Sequence, residues 1–244
     1  MTRTLTQRVS AAAHADLPYA NPLSDVQMAS LVAWVVARAP ATLLDIGCGA
    51  GVFSISVAST FPAKILAIDL DVSRARAAAA VKTLAGYVEF WEGPMREVAV
   101  SRYDAVVCVG SSHALGSPRE ALKQCRELLN SDGVLVYADL VWTSPPTSEY
   151  LSFLGCEEGH YWHRAEGPDV FRQAGLKIDQ EIVASTESWL AYEEAVLLGR
   201  RRFSESLPDG EKQVVLSNAE TWSAMYALHG RACLGFVSYV ARLA

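Results

Sequence analysis

Long hydrophobic runs are missing from this 244-residue chain. The longest, Met28 to Ala37, is stopped by Arg38 and is far too short to span a bilayer, so no membrane-spanning helix is expected. A basic excess is missing too. The net charge is −6, opposite in sign to the basic face of most nucleic-acid binders. The first two dozen residues carry two arginines but no sustained apolar stretch, and no secretory leader is expected from them. Five cysteines (Cys48, Cys108, Cys125, Cys156, Cys233) are scattered, odd in number and never paired as CxxC. That argues against a disulfide frame or a cysteine zinc site and for reduced thiols in a cytoplasm. HExxH is absent as well. His160 and His163, beside Cys156, Glu157 and Glu158, therefore read as part of a lid segment, with no metal site assigned.

What is present is an ordinary globular composition, 51% apolar and 20% charged, enough to bury a sizeable core. Ser24-Asp25-Val26-Gln27 reads as a capping box opening a helix that Pro40 closes. A strand over Thr42 to Ile46 precedes a glycine loop and a helix from about Val52 to Thr60. KILAID is a second strand ending at Asp69, and an alanine-rich helix then runs to Gly86. YVEFWEG and YDAVVCVG are strands three and four. Ser117-Pro118-Arg119-Glu120 caps a helix expected to reach Asn130, and Ser131-Asp132-Gly133 turns the chain into a fifth strand ending at Trp142. Alternating helices and nearly continuous apolar strands indicate a parallel sheet covered on both faces. After Trp142 come an aromatic-rich segment, a strand in LKIDQEIVAS, helices over 187–206 and 211–228, and a last strand in LGFVSYVARL.

The GCGAG loop follows the first strand and precedes a helix N-terminus, a place where free N–H groups face a ligand. A dinucleotide site wants GxGxxG, but Val52 stands where the third glycine would be. Asp45, two residues before Gly47, would repel a pyrophosphate and suits an ammonium or sulfonium. Asp69, at the end of strand two, can accept both hydroxyls of a ribose, and Leu70 is placed to pack on an adenine face. The ligand pattern is a nucleoside with a cationic, amino-acid-like tail.

LLDIGCGAG, IDLD, the YDAVVCVG strand and NSDGVLVYADL resemble the successive motifs of the class I S-adenosylmethionine-dependent methyltransferases, over roughly residues 41 to 142. ANPLS, GSSHALG and HGRACLGF are similar to segments of a group of bacterial small-molecule members. The resemblance implies an α/β, Rossmann-like, doubly wound seven-stranded sheet with the last strand antiparallel to the rest. It implies one domain over 1–244: an N-terminal cover and first helix (1–40), a cofactor-binding half (41–142), and a substrate-side insert with helices and the last two strands (143–244). The cofactor it implies is S-adenosylmethionine, with S-adenosylhomocysteine as product. Asp45, Gly47, Cys48, Gly49 and Gly51 would meet the methionine tail, Asp69 the ribose, and Gly110 and Ser111 would complete the donor site. Many members place an acidic residue after the strand-three glycine to bind the adenine amino group. Here Gly93 is followed by Pro94 and Met95, so backbone groups and Met95 packing are expected to hold the adenine instead.

His113, immediately after strand four, is the candidate catalytic residue. An oxygen or ammonium acceptor must lose a proton, and an imidazole titrates in the useful range. A helix-capping or packing role is its alternative. Trp142, Tyr150, Tyr161 and Trp162 are candidate walls of the acceptor pocket, with Asn21 in a segment that can cover the site. Arg200 to Arg202 read as the solvated end of a helix, and Asp104 as a structural hydrogen-bonding group. Neither the [DN]PP[YF] motif of base and amide methylation nor a Pro-Cys nucleophile is present, which leaves a small metabolite as acceptor. A cofactor-binding sensor or partner subunit without transfer activity is the competing reading, and a nicotinamide oxidoreductase is disfavoured by Val52 and Asp45. A homodimer is compatible with all of these.

Overall fold

The computed structural model describes residues 4–84, 86–99 and 101–244. Chain order begins with two capped helices, α1 (Leu5–Ala13) and α2 (Asp25–Val36). The Ser24 hydroxyl accepts from the Gln27 amide at 3.3 Å while the Gln27 side chain accepts from the Ser24 amide at 3.1 Å, so the capping box forms as its sequence dictates. Next come β1 (Thr42–Ile46), α3 (Val52–Thr60), β2 (Lys64–Asp69), α4 (Ser73–Val81), β3 (Val88–Glu92) and β4 (Tyr103–Val109). The second half contains α5 (Pro118–Glu127), β5 (Leu129–Trp142), α6 (Ser148–Leu154), α7 (Gly167–Gln173), β6 (Leu176–Val183), α8 (Thr186–Ser204), α9 (Asp209–Met225) and β7 (Leu234–Leu243).

One seven-stranded sheet collects strands from both halves in the order β3-β2-β1-β4-β5-β7-β6. The first five are parallel, and β7 runs antiparallel to both β5 and β6. This is the Rossmann-like architecture implied by the motifs. Strand order reverses between β1 and β4, and at such a switch point the loops beyond the two strands diverge and leave a crevice. The glycine loop and the GSSHALG loop flank it.

Successive strand residues point to opposite faces, and both faces are buried. Leu43, Val107, Val136 and Phe236 pack with Leu31, Val35 and Val57 on one side. Leu44, Val106, Tyr137 and Tyr239 pack with Leu122, Cys125 and Phe171 on the other. Asp104 sits at the far end of β4, accepting from the Thr42 amide at 2.9 Å and from Asn130 at 2.7 Å, a purely structural clasp.

Three boundaries differ from the sequence reading. Helix α4 stops at Val81 because Thr83 takes a left-handed φ of +57°; the expected end at Gly86 would cross position 85, outside the described residues. Helix α5 stops at Glu127 because the Leu128 carbonyl is taken by the Tyr103 amide at 2.8 Å, which pulls Leu129 into the sheet. The expected turn over Ser131 to Gly133 is therefore a register shift inside β5. Helix α9 ends at Met225, and its last turn is a π-helical one over Tyr226–Gly230.

Candidate active site

The glycine loop divides its labour. Gly47, Gly49 and Gly51 all have left-handed backbones, φ +70°, +54° and +73°. A Cβ on Gly47 would lie 2.3 Å from Ser111 Cβ, and one on Gly51 2.7 Å from Ala75 Cβ, so these two are bare because protein lies against them. A Cβ on Gly49 would meet nothing within 4 Å. The open side of the loop is at Gly49.

The loop amides expected to face a ligand are mostly satisfied inside the protein. Those of Gly47 and Cys48 donate to the Ile68 carbonyl at 2.8 and 2.9 Å, and that of Gly51 to Cys48. The Gly49 amide donates to Asp69 Oδ2 at 2.8 Å, and the Asp71 amide to Asp69 Oδ1 at 3.1 Å. Asp69 thus fastens the loop to the end of β2, and each oxygen keeps a second lone pair for a hydroxyl. Leu70 beside it is 66% exposed, a large apolar side chain left on the surface next to a polar clamp. Across the β2–β3 edge the Gly93 amide donates to the Asp69 carbonyl at 2.9 Å, Pro94 follows, and Met95 is buried in the core beneath.

Asp45 lies below the loop, buried, with its carboxylate accepting from the Ser54 hydroxyl at 2.6 Å. Its pKa is pushed up to about 6, by burial first and by the nearby Asp69 charge, against the Ser54 hydrogen bonds. The half-buried Cys48 thiol is pushed far up, first by desolvation and then by these two carboxylates, and is no nucleophile. Ser111 donates to the Ile46 carbonyl at 2.5 Å, and it ties the end of β4 to the end of β1. A Cβ on Gly110 would sit 3.7 Å from Asn21 and from the Phe236 ring, which places the N-terminal segment against this turn.

Beyond β4 and β5 a cavity of about 900 Å³ opens. Asn21, Gly110, His113 and Tyr161 line it. His113 is exposed on the short turn Ser112–Ala114. Trp142, Tyr150 and Trp162 do not line it. All three are fully buried: Trp142 and Tyr150 on one face of the sheet, Trp162 on the other, stacked 6.0 Å from Tyr137. The Trp142 indole donates to the Glu158 carbonyl at 2.7 Å, which closes the insert onto the sheet. These aromatics are core, and the pocket walls come from helices α8 and α9 and from β7: Trp189, Tyr192, Glu193, Trp222 and Phe236.

The sequence reading also passed over Asp139. It is buried at the end of β5 on the cavity wall, accepting from the Leu140 amide at 2.7 Å and from Tyr137 Oη at 3.2 Å. Desolvation raises its pKa, the Ser112 hydroxyl and the His113 charge opposing. The signal available was an acidic residue in an otherwise apolar strand, at the strand's carboxyl end. Glu193 gave no such signal, because an acidic residue in a long amphipathic helix is ordinarily solvated.

The N-terminal segment crosses this region. Helix α1 packs on α8 so closely that a Cβ on Gly199 would lie 2.6 Å from the Ala13 carbonyl. His14 bonds Tyr192 Oη at 3.0 Å, and Arg74 on α4 donates to the His14 and Leu17 carbonyls at 3.0 Å each. Of the arginine run, Arg202 pairs with Asp16 and Arg200 lies 5.6 Å over the Trp222 ring, so both are engaged rather than merely solvated.

Residues 44–135 match the methyltransferase domain family, and the Rossmann-like fold is shared with solved S-adenosylmethionine-dependent methyltransferases. It is similar to a solved S-adenosylmethionine-dependent methyltransferase from Thiobacillus denitrificans in complex with S-adenosylhomocysteine, at 23% identity and a TM-score of 0.87 with all of each chain covered. A counterpart from Geobacter sulfurreducens, also in complex with S-adenosylhomocysteine, gives 20% identity and a TM-score of 0.87 over 97% of this chain and 98% of that one. The uncharacterised Escherichia coli protein YjhP is 23% identical over 223 residues, 88% of this chain and 90% of its own. Its X-ray structure gives a TM-score of 0.86. Among the described residues no helix is long and apolar enough to cross a membrane, and no group of three or more His, Cys, Asp and Glu side chains is arranged to hold a metal ion.

Proposed function

We propose that this chain transfers the methyl group of S-adenosylmethionine to a small-molecule acceptor in the cytoplasm. The observation that carries the reading is the open side of Gly49 beside the Asp69 carboxylate, next to a 900 Å³ cavity bearing His113. Asp69 would hold the ribose, exposed Leu70 and the Gly93-Pro94-Met95 turn the adenine, and Asp45 the cationic tail through the loop Gly47 to Gly51. Gly110 and Ser111 would shape the floor between donor and acceptor. When bound, the cofactor supplies an electrophilic methyl on a sulfonium, which needs no metal.

The protein's own work is then positioning and proton removal. His113 takes or orients the acceptor's proton, and Asp139, buried on the same wall, stabilises the charge that His113 gains. The division of labour largely follows the chain: 41–142 for the donor, with His113 and Asp139 turned to the acceptor, 143–244 for the acceptor, and residues 4–40 as a strap over both. A formed acceptor cavity with a titratable group in it favours transfer over silent cofactor binding. The test is incubation with S-adenosylmethionine carrying a deuterated methyl group and a fractionated metabolite extract. A product heavier by one labelled methyl, absent with His113→Ala, supports the reading; no labelled small molecule from any fraction contradicts it.

A further inference from the structure

The acceptor cavity is one-sided in charge. Asp139, Glu157 and Glu193 line it together with His113 and His160, and among the described residues no lysine or arginine does. Glu193 on α8 is set among aromatic rings. The Trp222 indole donates to its Oε2 at 3.0 Å, and Trp189, edge-on to Phe236 at 6.4 Å, forms the adjoining wall. Burial raises the Glu193 carboxyl above its ordinary range, and the Trp222 and Trp189 hydrogen bonds and the Arg200 charge oppose that only in part. Arg200 acts from over the Trp222 ring without lining the cavity. The Trp189 indole N–H is buried beside the same carboxylate and helps to hold it.

Each class of guest meets this wall differently. An anion would face three carboxylates against two histidines. A neutral guest would strip water from Glu193 and return nothing for it. A cation relieves the half-buried carboxylate and gains from the ring faces beside it. Resting on the methyl-transfer reading above, we propose that the acceptor is a small organic ammonium ion with a flat apolar body. Its charged nitrogen pairs with Glu193, and its body lies among Trp189, Trp222 and Phe236.

The experiment is calorimetric titration of the full-length protein, with and without saturating S-adenosylhomocysteine. The probes are tyramine, its neutral match 4-hydroxyphenethyl alcohol and its anionic match 4-hydroxyphenylacetate. Tyramine is expected to bind saturably and at least about tenfold tighter than either match. In Glu193→Gln that preference collapses while S-adenosylhomocysteine affinity holds. Absence of saturable tyramine binding, equal or tighter binding of the anion, or an unchanged preference in Glu193→Gln overturns the proposal. If the variant does not fold, the order of the three probes on the wild type decides alone. Loss of S-adenosylhomocysteine binding with tyramine binding intact would sink the donor reading and leave the acceptor class standing.

Discussion

Asp45 shows how one buried carboxylate ties donor binding to pH. With its pKa lifted from the ordinary 3.8 to about 6, its ionised form is disfavoured in the folded protein. The destabilisation is absent below about pH 4, grows as pH rises through about 6, and is worth about 3 kcal/mol when complete. Asp45→Asn keeps an acceptor for Ser54 and removes the charge. Its stability relative to wild type should therefore improve between pH 4 and pH 7 in thermal or urea unfolding, and a flat difference across that window would contradict the burial argument. An ammonium on the donor favours the ionised form, so S-adenosylhomocysteine affinity should rise through the same window with release of a proton. His113 is a separate test. His113→Ala should lower single-turnover methyl transfer by about 10²–10⁴-fold with little change in donor affinity. Loss of donor binding instead would move that residue into the cofactor site. At this scale the acidic and glycine positions were legible, because few residue types tolerate a left-handed turn or a buried charge. Asp139 and Glu193 were not, since burial of a strand-end or helix carboxylate depends on what the distant β7 and α9 bring against it.

At the scale of elements, adjacent residues of the insert have opposite fates. Trp162 is stacked on Tyr137 and edge-on to Phe171 under the sheet, while Tyr161 faces the cavity and packs edge-on to Trp142 at 5.7 Å. Trp162→Ala should cost about 3–5 kcal/mol of stability by leaving a cavity, with acceptor affinity unchanged in the fraction that stays folded. Tyr161→Ala should change acceptor affinity and leave the melting temperature nearly intact. A paired unfolding and binding series reads both; the reverse pattern would put Trp162 on the pocket wall. Aromatic richness announced an important segment, but composition carries no phase. The bridge that pairs Trp142 with His163 sets which rings turn inward. Capping boxes at Ser24 and Ser117 were readable because their partners lie three residues away, whereas the end of α5 was set by a contact with β4.

At the scale of the molecule, the apolar strand runs made a covered parallel sheet readable, and the family motifs implied the antiparallel last strand. Strand order itself is a long-range outcome, and with it the location of the cavity. The walls supplied by α8, α9 and β7 come together only because β7 inserts between β5 and β6. The central claim is that the crevice between β1 and β4 binds the methyl donor. Its most direct test is calorimetric titration of S-adenosylhomocysteine and of NAD into wild type, Asp69→Ala and Gly49→Val. The account predicts one S-adenosylhomocysteine site and no NAD binding, a loss of about 2–3 kcal/mol in Asp69→Ala as hydrogen bonds to a charged group disappear, and no binding in a folded Gly49→Val. Binding of NAD, or S-adenosylhomocysteine affinity that both variants leave unchanged, would contradict it.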